Sequence, residues 1–378
     1  MPSTTSRSPL ATWPHTRVTE LLGLRHPIVQ GPFGGGLSTV ALAAAVARAG
    51  GLGSFGAHHL APEQIAALGD ELRASGPGPF AINLWVSTHD VPEAEMTRQR
   101  FDAAARQLQP LYDELGVEPP KYPDRFATTF EEQVEAVIAA APPAFSFVFG
   151  LPDERVLDAL RARGITTIGT AVTPAEAVAL DDAGVDLIVA SGAEAGGHRG
   201  AFLAEPEDSL VGTMALVRSA VEAVRAPVIA AGGIGDAAGI AAALALGAEG
   251  VQVGTAFLAT EESGTTSEHK ALLLGPEAGA TQLTRTFSGR LARGIRNRLM
   301  NELAAAGAIA PYPYQSYLLR PVVEAARRAG RTDVVPLWSG QAASLLRYQR
   351  AAELYEALVT GTDTLLARPV HTTTKEAA

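Results

Sequence analysis

Residues 226–263 read APVIAAGGIGDAAGIAAALALGAEGVQVGTAFLATEES and hold one strand–helix–strand unit. Pro227–Ala231 is a short, continuous apolar run, the pattern of a strand buried on both faces. Gly232-Gly233-Ile234-Gly235 turns the chain, Asp236 is placed to cap an alanine-rich helix, and Val251–Gly254 forms the next strand. Two strands joined through a helix are parallel neighbours.

The same unit recurs towards the N-terminus. Strands are expected at Pro27–Gly31, Leu52–Gly56, Phe80–Val86, Phe145–Phe149, Thr166–Ala171 and Leu187–Ala190. Helices are expected after Ser38, taken as an N-cap, after Pro62, and from Asp153 and Pro174. Eight strands, nearly all followed by helices, within roughly 230 residues favour a closed TIM (β/α)8 barrel over a doubly wound sheet. The barrel is expected over residues 27–262, after an N-terminal extension, 1–26. Two stretches break the repeat. Ser87–Thr128 is an insertion between the third strand and its helix, either a lid or a decoration of the rim. Residues 263–378 read as a mainly helical C-terminal subdomain, with helical patterns around 321–328 and 342–360 and an arginine-rich patch, Arg285 to Arg298.

Composition narrows the chemistry. The 378 residues carry 30 basic and 40 acidic side chains, a net −10, which disfavours nucleic acid and anionic membranes as partners. There is no cysteine, so thiol nucleophiles, thiolate metal sites and iron–sulfur clusters are excluded and redox chemistry requires a bound cofactor. Nor does any His/carboxylate spacing suggest a metal site. The first 26 residues lack the apolar core of a signal peptide, and no apolar run reaches the ~20 residues of a spanning helix, so a cytoplasmic location is the default.

Three glycine-rich strand ends bear the candidate site. Ser191-Gly192-Ala193-Glu194-Ala195-Gly196-Gly197-His198 follows the sixth strand, where barrel active sites are built. His198 there is suited to proton exchange near neutral pH; its structural alternative is to tie down the loop. The other two, Gly232-Gly233 and Gln252-Val253-Gly254-Thr255, end strands seven and eight, the habitual phosphate site of this fold. A monophosphate cofactor fits better than a dinucleotide, because no strand–GxGxxG–helix fingerprint is evident. Pro32 and Phe33 lie at the same rim, and Asn83 interrupts the apolar third strand as a polar group in need of partners. His58 and His59 also fall near the rim, with nothing to single them out.

These blocks resemble the nitronate monooxygenase family, formerly 2-nitropropane dioxygenases, and most closely its bacterial class I branch. The matching pieces are PIVQGPFGGGLST, AGGLGSFG, FAINL, GAEAGGHRG, the 226–263 stretch, SGRLARGIRN, PYPYQ and LWSGQ, in the same order along most of the chain. The resemblance implies a barrel binding FMN, with Asn83 contacting the flavin, Gly196 and Gly197 lining its ring, and Gly233 with Gln252–Thr255 holding its phosphate. His198 matches the family's active-site histidine, which would remove the α-proton of a nitroalkane or stabilise the bound nitronate. Oxidation with O2 would give a carbonyl compound and nitrite. The chain departs from the family at Phe33, where Met is usual, and at Ser191, where Gln is common. Alternative readings are an NAD(P)H-dependent flavin reductase of the enoyl or quinone reductase kind, and a non-catalytic flavin-binding protein.

Overall fold

Each apolar run pairs in parallel with its neighbours, and the ring they make closes on itself. The structure, a computed structural model, describes residues 13–86 and 95–367. Residues 1–12 of the expected extension, 87–94 of the expected insertion and 368–378 of the tail lie outside them. The barrel strands are β1 (Ile28–Gln30), β2 (Gly53–Gly56), β3 (Phe80–Trp85), β4 (Ala144–Val148), β5 (Thr166–Ala171) and β6 (Leu187–Ser191). After β7 (Gly197–His198), which leaves the barrel, come β8 (Val228–Ala231) and β9 (Gly250–Val253), the seventh and eighth barrel strands. They run in the order β1-β9-β8-β6-β5-β4-β3-β2. Gln30 N donates to Leu52 O at 2.9 Å and Leu52 N to Ile28 O at 3.0 Å, which joins β1 to β2 and completes the (β/α)8 barrel.

Val29, Ala81, Ile168, Val189 and Ile229 fill the interior as one apolar cluster with Val18 and Leu22. Those last two belong to α1 (Arg17–Leu22), which Thr16 starts with a capping box. α1 falls within the expected N-terminal extension; it is too short to show a period, and burial against the barrel supplies its stability.

Side chains start the outer helices as their positions suggest. Asp153 accepts from Val156 N before α7 (Glu154–Ala162), and Asp236 from Gly239 N before α10 (Ala237–Ala245). Thr39, not Ser38, caps α2 (Val40–Ala49). Ser38 instead accepts from Phe33 N at 3.0 Å and donates to Ser54 O at 3.2 Å, bracing the first loop against β2. α3 (Pro62–Ala74), α6 (Phe130–Ala140), α8 (Pro174–Asp182) and α9 (Thr213–Ala223) continue the ring.

The eighth helix arrives from far along the chain. α15 (Ala351–Leu366) packs against both α10 and α2, so the barrel's last helix lies beyond the expected boundary at 262. Between β9 and α15 run α11 (Thr255–Leu258), α12 (Ser267–Leu274), α13 (Arg298–Ala306) and α14 (Tyr314–Arg328), together with β10 (Thr281–Thr284) and β11 (Ala292–Ile295). The expected pattern at 342–360 is split into a 3-10 turn, Ala343–Leu345, and α15. β10 and β11 are too short and polar to read as strands alone; they form by pairing with each other, and β11 pairs on its other side with β7. In the insertion, α4 (Arg98–Gln107) and α5 (Gln109–Leu115) pack on this same segment: Tyr112 Oη donates to Leu318 O at 3.0 Å, and Arg298 and Arg331 both pair with Glu114. No helix among the described residues is long and apolar enough to cross a membrane.

Candidate active site

β6 delivers the chain to a loop that is fixed at both ends. Glu194 accepts from Thr213 N at 2.9 Å and from Thr213 Oγ1 at 2.8 Å, while its carbonyl accepts from Gln341 N at 3.0 Å. Gly196 must be glycine, because a Cβ there would lie 2.5 Å from Gly340 N and from Ser339 C. Gly197 takes φ 76°, a region glycine enters without cost. With those two residues in place, His198 sits opposite Ala292 in the β7–β11 ladder.

His198 Nε2 lies 2.8 Å from Ser288 Oγ, and its ring centroid is 4.9 Å from that of Trp85 and 5.0 Å from that of Trp338. Burial, with help from the Arg290 charge, pushes its pKa down to about 3, so the imidazole is neutral. Arg290 itself stacks over Phe149 at 3.8 Å, Tyr312 at 4.2 Å and Trp85 at 5.1 Å. His58 lies flat on Trp85, centroids 3.7 Å apart, and burial holds its pKa well below the usual value, with His59, His198 and Arg290 adding to the effect.

The support behind His198 is polar and buried. Arg199 donates to Ser191 O at 2.6 Å, Val172 O at 3.1 Å and Ser209 O at 2.5 Å. Glu176, fully buried, accepts from the amides of Val172, Thr173, Phe202 and Leu203. Together they lock the strand ends and the loop that carry the histidine.

A cavity of about 860 Å³ opens over the C-terminal ends of the strands. Of the residues expected to form the site, Pro32, Phe33, Asn83, Ser191, Gly196, Gly197, His198, Gly232, Gly233, Gln252, Gly254 and Thr255 line it. Val253 does not: its side chain is fully buried, and its carbonyl accepts from Gly31 N at 2.9 Å. Alternation along β9 turns it away from its neighbour Gln252. Asn83 donates to Ser146 Oγ at 2.9 Å, so its amide already has one protein partner. Gly233 N and Gly235 N donate to no acceptor among the described residues. Thr255, on the same cavity wall, starts α11 and accepts from Gly340 N at 2.9 Å.

Several wall residues had no signal in the local sequence. Ser288, Tyr312 and Trp338 come from the segment between β9 and α15 and reach the cavity only through tertiary packing. Trp85 was legible in hindsight, because it shares a strand face with Asn83 two residues earlier. Within the arginine-rich patch, Arg285 pairs with Glu207, and Arg298 with Glu114, Glu302 and Asp333. Arg293 instead donates to Ala193 O at 3.1 Å, and Arg290 lies among the rings.

The neutral histidines set an expected pH response. The pKa values of His198 (about 3), His269 (about 4) and His58 are all lowered in the folded protein, chiefly by burial. The unfolded chain therefore binds more protons below about pH 6.5. Stability should be full above that pH and fall as pH drops towards 5, well before carboxylates titrate. Urea midpoints at pH 7.5 and pH 5 check this; equal midpoints would show that these histidines are not buried as neutral groups.

Comparison with known proteins covers most of the described chain. A family profile described as nitronate monooxygenase matches residues 15–361. A nitronate monooxygenase from Pseudomonas aeruginosa is 43% identical over 348 residues, covering 91% of this chain and 98% of that protein. The solved structure of a nitroalkane oxidase from Streptomyces ansochromogenes superposes with a TM-score of 0.84 at 37% identity, covering 93% of this chain and 99% of the other. FabK from Thermotoga maritima gives a TM-score of 0.70 at 27% identity, covering 93% and 97%.

Proposed function

The chain belongs to the nitronate monooxygenase family, and from that premise we propose that it uses FMN to oxidise alkyl nitronates, and nitroalkanes, with O2 to a carbonyl compound and nitrite. The observation that carries the reading is the convergence of His198 and two glycine loops on one cavity. That volume, about 860 Å³, lies in the range of cofactor sites. The undonated amides of Gly233 and Gly235, beside the starts of α10 and α11, have the chemistry a phosphate requires. Bare glycine backbone at Gly197, where a Cβ would meet nothing within 4 Å, leaves room for a planar group to approach. The residues therefore fit FMN: Gly232, Gly233, Gly254 and Thr255 would hold its phosphate, and Asn83, Ser191, Gly196, Gly197, Pro32 and Phe33 would surround its ring. When bound, the flavin accepts the electrons that no side chain of this cysteine-free chain accepts.

The protein's own part is to bind the anion and handle one proton. A neutral imidazole donates a hydrogen bond to a nitronate oxygen through its N–H, and the nearby Arg290 charge favours an anion over a neutral molecule. With a neutral nitroalkane, His198 takes the α-proton. The imidazolium so formed stands beside the new nitronate, and their attraction offsets the cost of a buried charge. The aromatic walls, Trp85, Phe149 and Trp338, exclude water from that pair.

Anaerobic mixing tests the assignment. The purified protein should be yellow, and propionate 3-nitronate should bleach it while NADH and NADPH do not. Bleaching by the nicotinamides alone would make it a flavin reductase; a protein that takes up no FMN would overturn the cofactor.

A further inference from the structure

Arg327 has a feature that the chemistry at His198 leaves unused. α14 presents Ser316, Arg320, Val323 and Arg327 to the cavity, spaced so that they form one stripe along the helix. Arg320 is exposed and stacks on Tyr317 at 4.9 Å. Arg327 is partly buried, and its guanidinium makes no hydrogen bond, ion pair or ring contact with any described residue. The buried Arg199 and Arg293 donate to carbonyls, and the half-buried Arg331 pairs with Glu114 and Asp333. Burial pushes the Arg327 pKa down, while Glu324, on the same helix and not in ion-pair contact, opposes that. From α12, His269 faces it as a neutral group, its own pKa lowered to about 4 mainly by burial, with its Nε2 3.2 Å from Trp338 O. A cation in such surroundings is normally paired.

We propose that Arg327 is an oxyanion-binding residue, forming a second anionic subsite in the cavity, apart from the loop amides suited to the cofactor phosphate, that takes the carboxylate of a substrate. Its planar fork suits that group, binding two oxygens at once. A ligand bound there spans the cavity from α14 towards the strand ends, which would select for molecules with a negative group remote from the reacting carbon. The proposal rests on the cavity being the site where substrate and cofactor bind.

Two pairs of titrations test it, each comparing ligands that differ in the anionic group alone. FMN against riboflavin reads the phosphate, by quenching of flavin fluorescence. 3-Nitropropionate against 1-nitropropane reads the carboxylate, by quenching of the cavity tryptophans Trp85 and Trp338. In Arg327→Gln, and in Arg327→Met, which keeps more of the apolar stem should the first fail to fold, the preference for 3-nitropropionate should fall about 10- to 100-fold, the usual worth of a charged hydrogen bond, while the preference for FMN stays unchanged. A loss confined to the flavin pair would place Arg327 at the cofactor phosphate and overturn the carboxylate subsite. Both preferences unchanged would overturn the subsite. Neither titration needs turnover, so a protein that oxidises no nitronate fails the functional reading without deciding this one.

Discussion

Replacing His198 with asparagine should lower turnover of neutral nitroalkanes by about two to four orders of magnitude, the usual contribution of a general base. Asparagine retains a hydrogen-bond donor but cannot take a proton at any working pH. FMN binding should persist, because the amides suited to its phosphate lie at Gly233 and Gly235, on a different loop from His198. Preformed nitronates need no proton removed, so their oxidation should fall far less. The comparison of kcat/KM for a nitroalkane and for its nitronate therefore separates the two roles of the residue. Equal losses on both would assign His198 to anion stabilisation alone, and retained nitroalkane turnover would remove it from the proton transfer.

Glu176→Ala should be the most damaging single change to stability, although Glu176 touches no reacting group. The carboxylate is 0% exposed and accepts from Val172 N at 2.7 Å, Thr173 N at 3.2 Å, Phe202 N at 2.7 Å and Leu203 N at 3.1 Å. Its charge also acts on Arg199, a residue buried on the other side of the same loop. Alanine would orphan four amides and leave that guanidinium with Glu194 alone as a nearby opposite charge, a loss of about 3–5 kcal/mol by comparison with other broken buried pairs. Glu176→Gln keeps one carbonyl oxygen as acceptor and should lose less. Urea denaturation measures both, and a loss below about 1 kcal/mol for alanine would mean that water replaces the carboxylate. Activity should fall with stability, since Phe202 and Leu203 anchor the chain just beyond His198.

The barrel and most of its site were legible in the sequence for the same reason. Strands buried on both faces must be short and continuously apolar, and the turns at their ends must be glycine-rich or capped. Ala226–Ser263 carries all of those signatures in one stretch, and β8, α10 and β9 form within it. Position at a strand's C-terminal end then brings His198, Asn83 and the glycine loops to one face without knowledge of any contact. Val253 was the exception: it lies within a glycine-rich block, yet the two-residue alternation of β9 turns its side chain into the core.

Local pattern therefore accounts for eight strands, their helices, and a row of candidate residues at one rim. Tertiary structure decided how that rim becomes a closed site. β7 is too short to stand alone and forms only against β11, which also pairs with β10, and Ser288, shortly before β11, lies 2.8 Å from His198. Trp338, Tyr312 and Arg327 come from the long segment between β9 and α15, the helix that returns to pack on both α10 and α2. These are contacts between residues far apart in the chain. Local pattern records which face a residue buries, whereas its partner across the cavity is selected by the packing of the whole barrel.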